Sequence, residues 1–263
     1  MPLALRITKP VINSQKSLRA GVCEGTPLSL PIETPSSSDI DTASTKGHLQ
    51  RTVHIDWDYL VKRRPVVLTH STLPPYLLLP EVHALLDRAL HSNHRLMINT
   101  LWHTGARISE ALSLTRNAFH LDGEHSYVSL KISKRRGRPR TNAAGDPLPR
   151  LVPITDRAYL LELERYFITH RLGVGEKLFG IGRHGASKRI RVLANKVRET
   201  GEALPVNVTP HTFRHSFAVN AVLHGVPLPV IKQWLGHRNI QSTEVYTQVL
   251  AAETGHLMQW MAF

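Results

Sequence analysis

From residue 79 to residue 236 the chain repeats one local pattern: a proline or hydroxyl residue, apolar residues at helical spacing, then a glycine. In "LPEVHALLDRAL" (79–90), Pro80 suits the first helical position and Glu81 the first turn. Val82, Leu85, Leu86, Ala89 and Leu90 then recur on one face. "RLMINTLWHTG" (95–105) predicts a second helix stopped by Gly105, and "ISEALSL" (108–114) begins a third. "TDRAYLLELERYFITHR" (155–171) reads as a capped amphipathic helix, and "ASKRIRVLANKVRETG" (186–201) as a basic one ended by Gly201. "TPHTFRHSFAVNAVLHG" (209–225) opens with a Thr cap and a Pro, stops at a Gly, and is followed by the short helix "PLPVIKQWLG" (227–236). The period changes only in the middle. "SYVSLKI" (126–132) alternates, and "RLVPI" (150–154) is placed to return antiparallel to it. The expected fold is mainly α with a small antiparallel β-sheet, an α+β domain.

Residues 1–72 break the pattern. "EGTPLSLPIETPSSSDIDTASTKG" (24–47) is rich in Ser, Thr and Pro and has no sustained period, so it reads as loop or disorder. The mixed segment 54–70 is expected to order against DNA or a partner, which makes 48–72 a short DNA-contacting stretch at the end of an N-terminal arm. The second domain is then 73–263, with 251–263 as its tail.

With 33 Lys and Arg against 20 Asp and Glu, the chain carries +13. That excess implies a polyanionic partner, foremost nucleic acid. The sequence has no long apolar run, so no membrane partner is expected. Cys23 is the only cysteine, which excludes an internal disulfide and a cysteine-based zinc site and fits a reducing compartment. The His residues are scattered without metal-ligand spacing, and neither a metal nor another cofactor is expected.

Chemistry concentrates at helix ends. Arg107 follows the Gly105 turn, His211 and Arg214 lie three apart on one helical face, His237 follows Gly236, and Tyr246 comes nine residues later. Two guanidiniums, two imidazoles, a phenol and a lysine-rich hairpin suit metal-free phosphoryl transfer. The guanidiniums hold the non-bridging oxygens, a neutral His takes a proton, a Lys gives one, and the Tyr oxygen forms the covalent intermediate. A metal-dependent nuclease would want clustered carboxylates, which are scarce here.

"HTGARISEALSL", "PHTFRHSFAVNAVLHG" and "IKQWLGHRNIQSTEVYTQV" together resemble the three signature boxes of the tyrosine recombinase (phage integrase) family, over about residues 75–250. Phe213 stands where the second box usually has Leu. The resemblance implies that Arg107 and Arg214 clamp the scissile phosphate, that His211 is the base toward the nucleophile, and that His237 hydrogen-bonds the phosphate. Tyr246 would attack, leaving a 3′-phosphotyrosyl link and a free 5′-hydroxyl. The catalytic lysine of the family falls on Lys134, with Lys131 as the alternative, and Glu110 would support the first box. Further DNA contacts are expected from Lys131, Arg135, Arg136, Arg138 and Arg140 in the hairpin "KISKRRGRPR", and from Lys188, Arg189 and Arg191 on the basic helix.

The partner implied is double-stranded DNA, bound by a homotetramer on two sites, with a monomer or weak oligomer when free and an accessory DNA-bending protein. The apolar tail residues Leu257, Met258, Trp260 and Met261 pack on their own domain or dock into a neighbour. The expected location is bacterial cytoplasm, on nucleoid or plasmid. With only about 72 residues before the catalytic part, the chain is similar to compact members that resolve plasmid multimers or invert fimbrial switches. A type IB topoisomerase-like nicking-closing enzyme and a non-catalytic DNA-binding regulator are the alternatives.

Overall fold

The computed structural model describes residues 55–121, 125–131, 148–202, 204 and 207–250, all within the compact unit Arg51–Phe263. Two apolar clusters hold these residues together. The first is built by α2 (Leu79–Arg88), α3 (Ser92–Thr104), α5 (Arg157–Thr169), α6 (Arg183–Glu199) and a three-stranded sheet, around Val82, Leu85, Met97, Leu101, Val128, Leu163 and Ile190. The second joins α1 (Trp57–Thr69), α8 (Leu228–Leu235) and the 3-10 turn Val245–Val249, around Leu60, Tyr76, Ile231, Leu235 and Val249. α7 (Pro210–Leu223) serves both: Phe213 enters the first cluster, and Ala218, Val219 and Val222 enter the second. A helix shared by two cores cannot shift without disturbing either, and α7 carries the His211–Arg214 pair.

The sheet follows the alternating period. β1 (Phe119–His120), β2 (Tyr127–Leu130) and β3 (Arg150–Pro153) run in the order β1-β2-β3, all antiparallel, with Val128 opposite Val152 and Leu130 opposite Arg150. The two-residue β1 has no period of its own to read. On β3 the alternation runs against hydropathy, with Arg150 buried and Leu151 about half exposed. The hairpin between β2 and β3 lies outside the described residues.

The helix ends use the chemistry their sequences supply. Thr209 and Thr212 cap α7 reciprocally, each accepting the other's amide N–H at 3.0–3.3 Å. Gly105 and Gly236 end α3 and α8 in the left-handed region, at φ 57° and 64°. Among the described residues no helix is long and apolar enough to cross a membrane.

Part of segment 54–70 is regular structure. It is the helix α1, capped by Asp56 and packed through Leu60, Val61, Val67 and Leu68 on the second cluster. Arg64, on the same face, is 7% exposed and makes a two-pronged pair with Glu81 on α2, both contacts at 2.5 Å, while also donating to the Tyr76 carbonyl.

Candidate active site

Gly105 sets the geometry from which the site grows. Its backbone turns α3 sharply into the short α4 (Ile108–Ala111), and its carbonyl accepts a 2.8 Å hydrogen bond from Arg214 Nη1. A Cβ at Gly105 would sit 2.5 Å from Phe217 Cδ1 and 3.1 Å from Leu235 Cδ2. A Gly105→Ala variant combines left-handed strain with overpacking and should be less stable by roughly 2–4 kcal/mol, read by urea unfolding.

Arg214 is 3% exposed and its Nη2 donates to the Leu235 carbonyl at 2.6 Å, so one guanidinium is braced by two separate helix ends. Arg107 begins α4. Its amide donates to Glu110 Oε2 at 2.8 Å and its guanidinium to Oε1 at 3.0 Å, while a third of its side chain stays exposed to receive a ligand. Glu110 is in turn gripped by Arg150, at 3.1 and 2.7 Å, and Arg150 also donates to the Leu235 carbonyl. Burial alone would raise the Glu110 carboxyl, but Arg150 and the Arg107 amide outweigh it and hold the group below its usual range. The result is a rigid chain of contacts: Arg107, Glu110, Arg150, the Leu235 carbonyl, Arg214, the Gly105 carbonyl.

The remaining groups lie in the same field. Burial lowers Arg214, with Arg107 and Arg150 adding to it, to about 9, so it stays charged at neutral pH. His211, exposed on the first turn of α7, is lowered by desolvation and by Arg214 and Arg107. His237 is pushed to about 4 by burial and then by Arg214, Arg107 and Arg150. It is placed by the α8 stop, where its amide bonds back to the Lys232 carbonyl at 3.0 Å, and its Nδ1 lies 2.9 Å from Thr243 Oγ1. Tyr246 is 2% exposed; burial raises its phenol, and Arg214 partly offsets this. Arg107 and Arg214 act electrostatically on both His211 and His237, and Arg214 on Tyr246, so these five groups share one strongly positive region of the fold.

The group touching the phenol is His215, whose Nδ1 is 2.9 Å from Tyr246 Oη. It was hidden in the second box, because "HTFRH" offers two histidines and only one has the three-residue spacing to Arg214. Arg150 was missed as well, its signal being a lone cation at an inward register position of a strand. Lys131 is exposed at the end of β2. Lys134, Arg135, Arg136, Arg138 and Arg140 lie outside the described residues, as does the tail 251–263. On α6, Lys188 and Arg191 are exposed, whereas Arg189 is partly buried and adds to the lowering that burial imposes on His94.

The model of the Phage integrase family matches residues 76–253, more than half of the chain. A resolvase of Escherichia coli is 37% identical over 221 residues, covering 78% of this chain and 85% of that protein. Tyrosine recombinase XerD of Chlorobaculum tepidum is 31% identical over 192 residues, covering 67% of this chain and 58% of its own length. Among solved structures, XerH recombinase bound to its difH substrate before cleavage has a TM-score of 0.53 at 21% identity, covering 71% of this chain and 53% of that one. XerA recombinase gives 0.54 at 22%, covering 71% and 64%. The chain therefore spans about half to two thirds of those structures, with the same mainly helical fold and small antiparallel sheet.

Proposed function

The chain belongs to the phage integrase family, and we propose that this site-specific tyrosine recombinase cuts and rejoins duplex DNA through a 3′-phosphotyrosyl link to Tyr246. The observation that carries the proposal is the buried Tyr246 phenol, 2% exposed and 2.9 Å from His215 on the helix that also carries His211 and Arg214. Arg107 and Arg214 hold the two non-bridging oxygens of the scissile phosphate and neutralise charge that builds in the transition state. His237 adds a hydrogen bond to the same phosphate, and a histidine of α7 accepts the phenol proton. Lys134, carried by the basic hairpin, protonates the departing 5′ oxygen, with Lys131 as the alternative. Exchanging a phosphodiester for a phosphotyrosine conserves the bond, so no external energy source is needed.

The exposed cations Lys188 and Arg191 on α6, together with the hairpin, follow the DNA backbone; contacts of this kind make binding steeply salt-dependent. Two duplex sites are joined in a homotetramer assembled from weakly associating chains, with an accessory DNA-bending protein. The biological role is resolution of plasmid multimers or inversion of a DNA segment in the bacterial cytoplasm, in keeping with the resolvase relative. The test is to incubate the protein with DNA of its own replicon, trap covalent ends and sequence them. Trapped 3′ ends at one discrete site, with product that depends on two sites, are expected. Relaxation without recombinant product would replace this reading with a nicking-closing enzyme. Absence of any covalent product would replace it with a DNA-binding regulator.

A further inference from the structure

We propose that His215 orients the Tyr246 hydroxyl and receives its proton, a role the family resemblance gives to His211. The proposal rests on the recombinase reading above and names a group within that site.

His215 Nδ1 is 2.9 Å from Tyr246 Oη, and the two rings are tilted at 44° with centroids 5.9 Å apart. His211 lies one helical turn earlier, its ring centroid 6.2 Å from that of His215, on the exposed start of α7. The phenol is 2% exposed, so solvent has little access to its proton and a neighbouring side chain must take it. His215 is also the better anchored of the two histidines. It is flanked by Arg214, bound to the Gly105 and Leu235 carbonyls, and by Ser216, whose Oγ accepts from the Leu77 amide at 2.7 Å and donates to the Thr212 carbonyl at 2.7 Å.

Burial, and then the His211 and Arg214 charges, push the ring to about 4, which leaves it neutral at physiological pH with a lone pair free to accept. A DNA phosphate held by Arg107 and Arg214 brings a negative charge that offsets this field at the moment the proton moves. In the cleavage step the phenol O–H bond breaks and its proton passes to His215 Nδ1. The phenol oxygen forms a bond to phosphorus, the bond from phosphorus to the 5′ oxygen breaks, and that oxygen takes a proton from the hairpin lysine. Rejoining reverses each transfer, and His215 returns its proton to Tyr246.

The test compares His215→Leu, His215→Asn and His211→Asn on a nicked suicide duplex carrying the trapped cleavage sequence. Each is scored for DNA affinity, melting temperature and single-turnover formation of the covalent adduct. His215→Leu should bind DNA like the parent and form adduct about 10²- to 10⁴-fold more slowly, the range for loss of a positioned proton acceptor. His215→Asn, whose amide oxygen falls near the Nδ1 position, should recover part of that rate, and His211→Asn should lose less than His215→Leu. If His215→Leu does not fold, His215→Gln takes its place, since its amide reaches the Nε2 position instead. Parental rates in His215→Leu, or a loss in His211→Asn equal to or greater than that in His215→Leu, overturn the role of His215 while adduct formation by the parent upholds the recombinase reading. No adduct from the parent overturns both.

Discussion

A Tyr246→Phe variant will fold, bind duplex DNA with the affinity of the parent, and form no covalent adduct with it. The change removes one oxygen and leaves a ring of nearly the same shape. That ring sits in the second apolar cluster with Leu60, Ile231, Leu235 and Val249, where Phe packs as Tyr does. What is lost locally is the 2.9 Å contact to His215, and the half-buried imidazole left without that partner should lower stability by about 1–3 kcal/mol. The chemical loss is of another order. No other hydroxyl of this pocket is proposed as a nucleophile: Thr243 Oγ1 is engaged with His237, and the Ser216 hydroxyl spans two backbone groups. Deleting a nucleophile from a preorganised site lowers the rate on the order of 10⁶-fold, because the supporting groups have nothing left to activate. Single-turnover assays on a suicide duplex, read on denaturing gels beside an anisotropy titration of the same preparation, check both halves. Adduct formed by the Phe variant, or adduct mapped to another residue in the parent, would remove Tyr246 from its place.

Much of this was legible before any coordinates, and the exceptions share a cause. α2, α3 and α5 to α8 were placed by apolar period and by Pro, Thr and Gly at their ends, signals that act within a few residues. Arg107, His211, Arg214, His237 and Tyr246 came into view through the resemblance of three boxes in order, each of which holds its residues within a few positions of one another. The misses are residues whose meaning is set by partners far along the chain. α1 presents Arg64 on the face that a simple amphipathic reading requires to be apolar, and only Glu81 on another helix turns that cation into a core residue. Arg150 faces inward and Leu151 outward on β3, the reverse of the hydropathy rule, because Glu110 waits 40 residues earlier. His215 takes its meaning from the Tyr246 phenol, 31 residues further along the chain and 2.9 Å from its Nδ1. Buried polar pairs are the element that period cannot announce.

The Glu110–Arg150 pair yields the second large prediction, which separates stability from chemistry. Glu110 is 2% and Arg150 5% exposed, and the pair ties α4, β3 and the end of α8 together. Arg150→Met keeps the bulk but strands a buried carboxylate, with only the Arg107 amide and its part-exposed guanidinium as partners. Stability at pH 7 should fall by about 3–5 kcal/mol, the usual result of removing one member of a buried ion pair. The pH dependence has a definite sign. In the parent the Glu110 carboxyl is held below its usual range, so its contribution is full above the unfolded carboxylate range and is lost as pH falls through the depressed folded value. In the variant burial dominates and raises the carboxyl, so acidification neutralises it and relieves the penalty. The two curves therefore converge as pH falls through the acid range, which urea melts at several pH values will show; a gap constant with pH would mean that Arg150 acts through packing alone. Adding Glu110→Leu to Arg150→Met replaces the pair by apolar groups and should restore most of the stability at pH 7, since a well-packed substitute for a buried ion pair is often neutral. It will not restore strand cleavage. Without Glu110, neither the amide nor the guanidinium of Arg107 is held, and the Leu235 carbonyl that braces Arg214 loses its second donor. A double variant that melts like the parent and cleaves like the single variant would show that this buried pair is kept for the placement of two arginines.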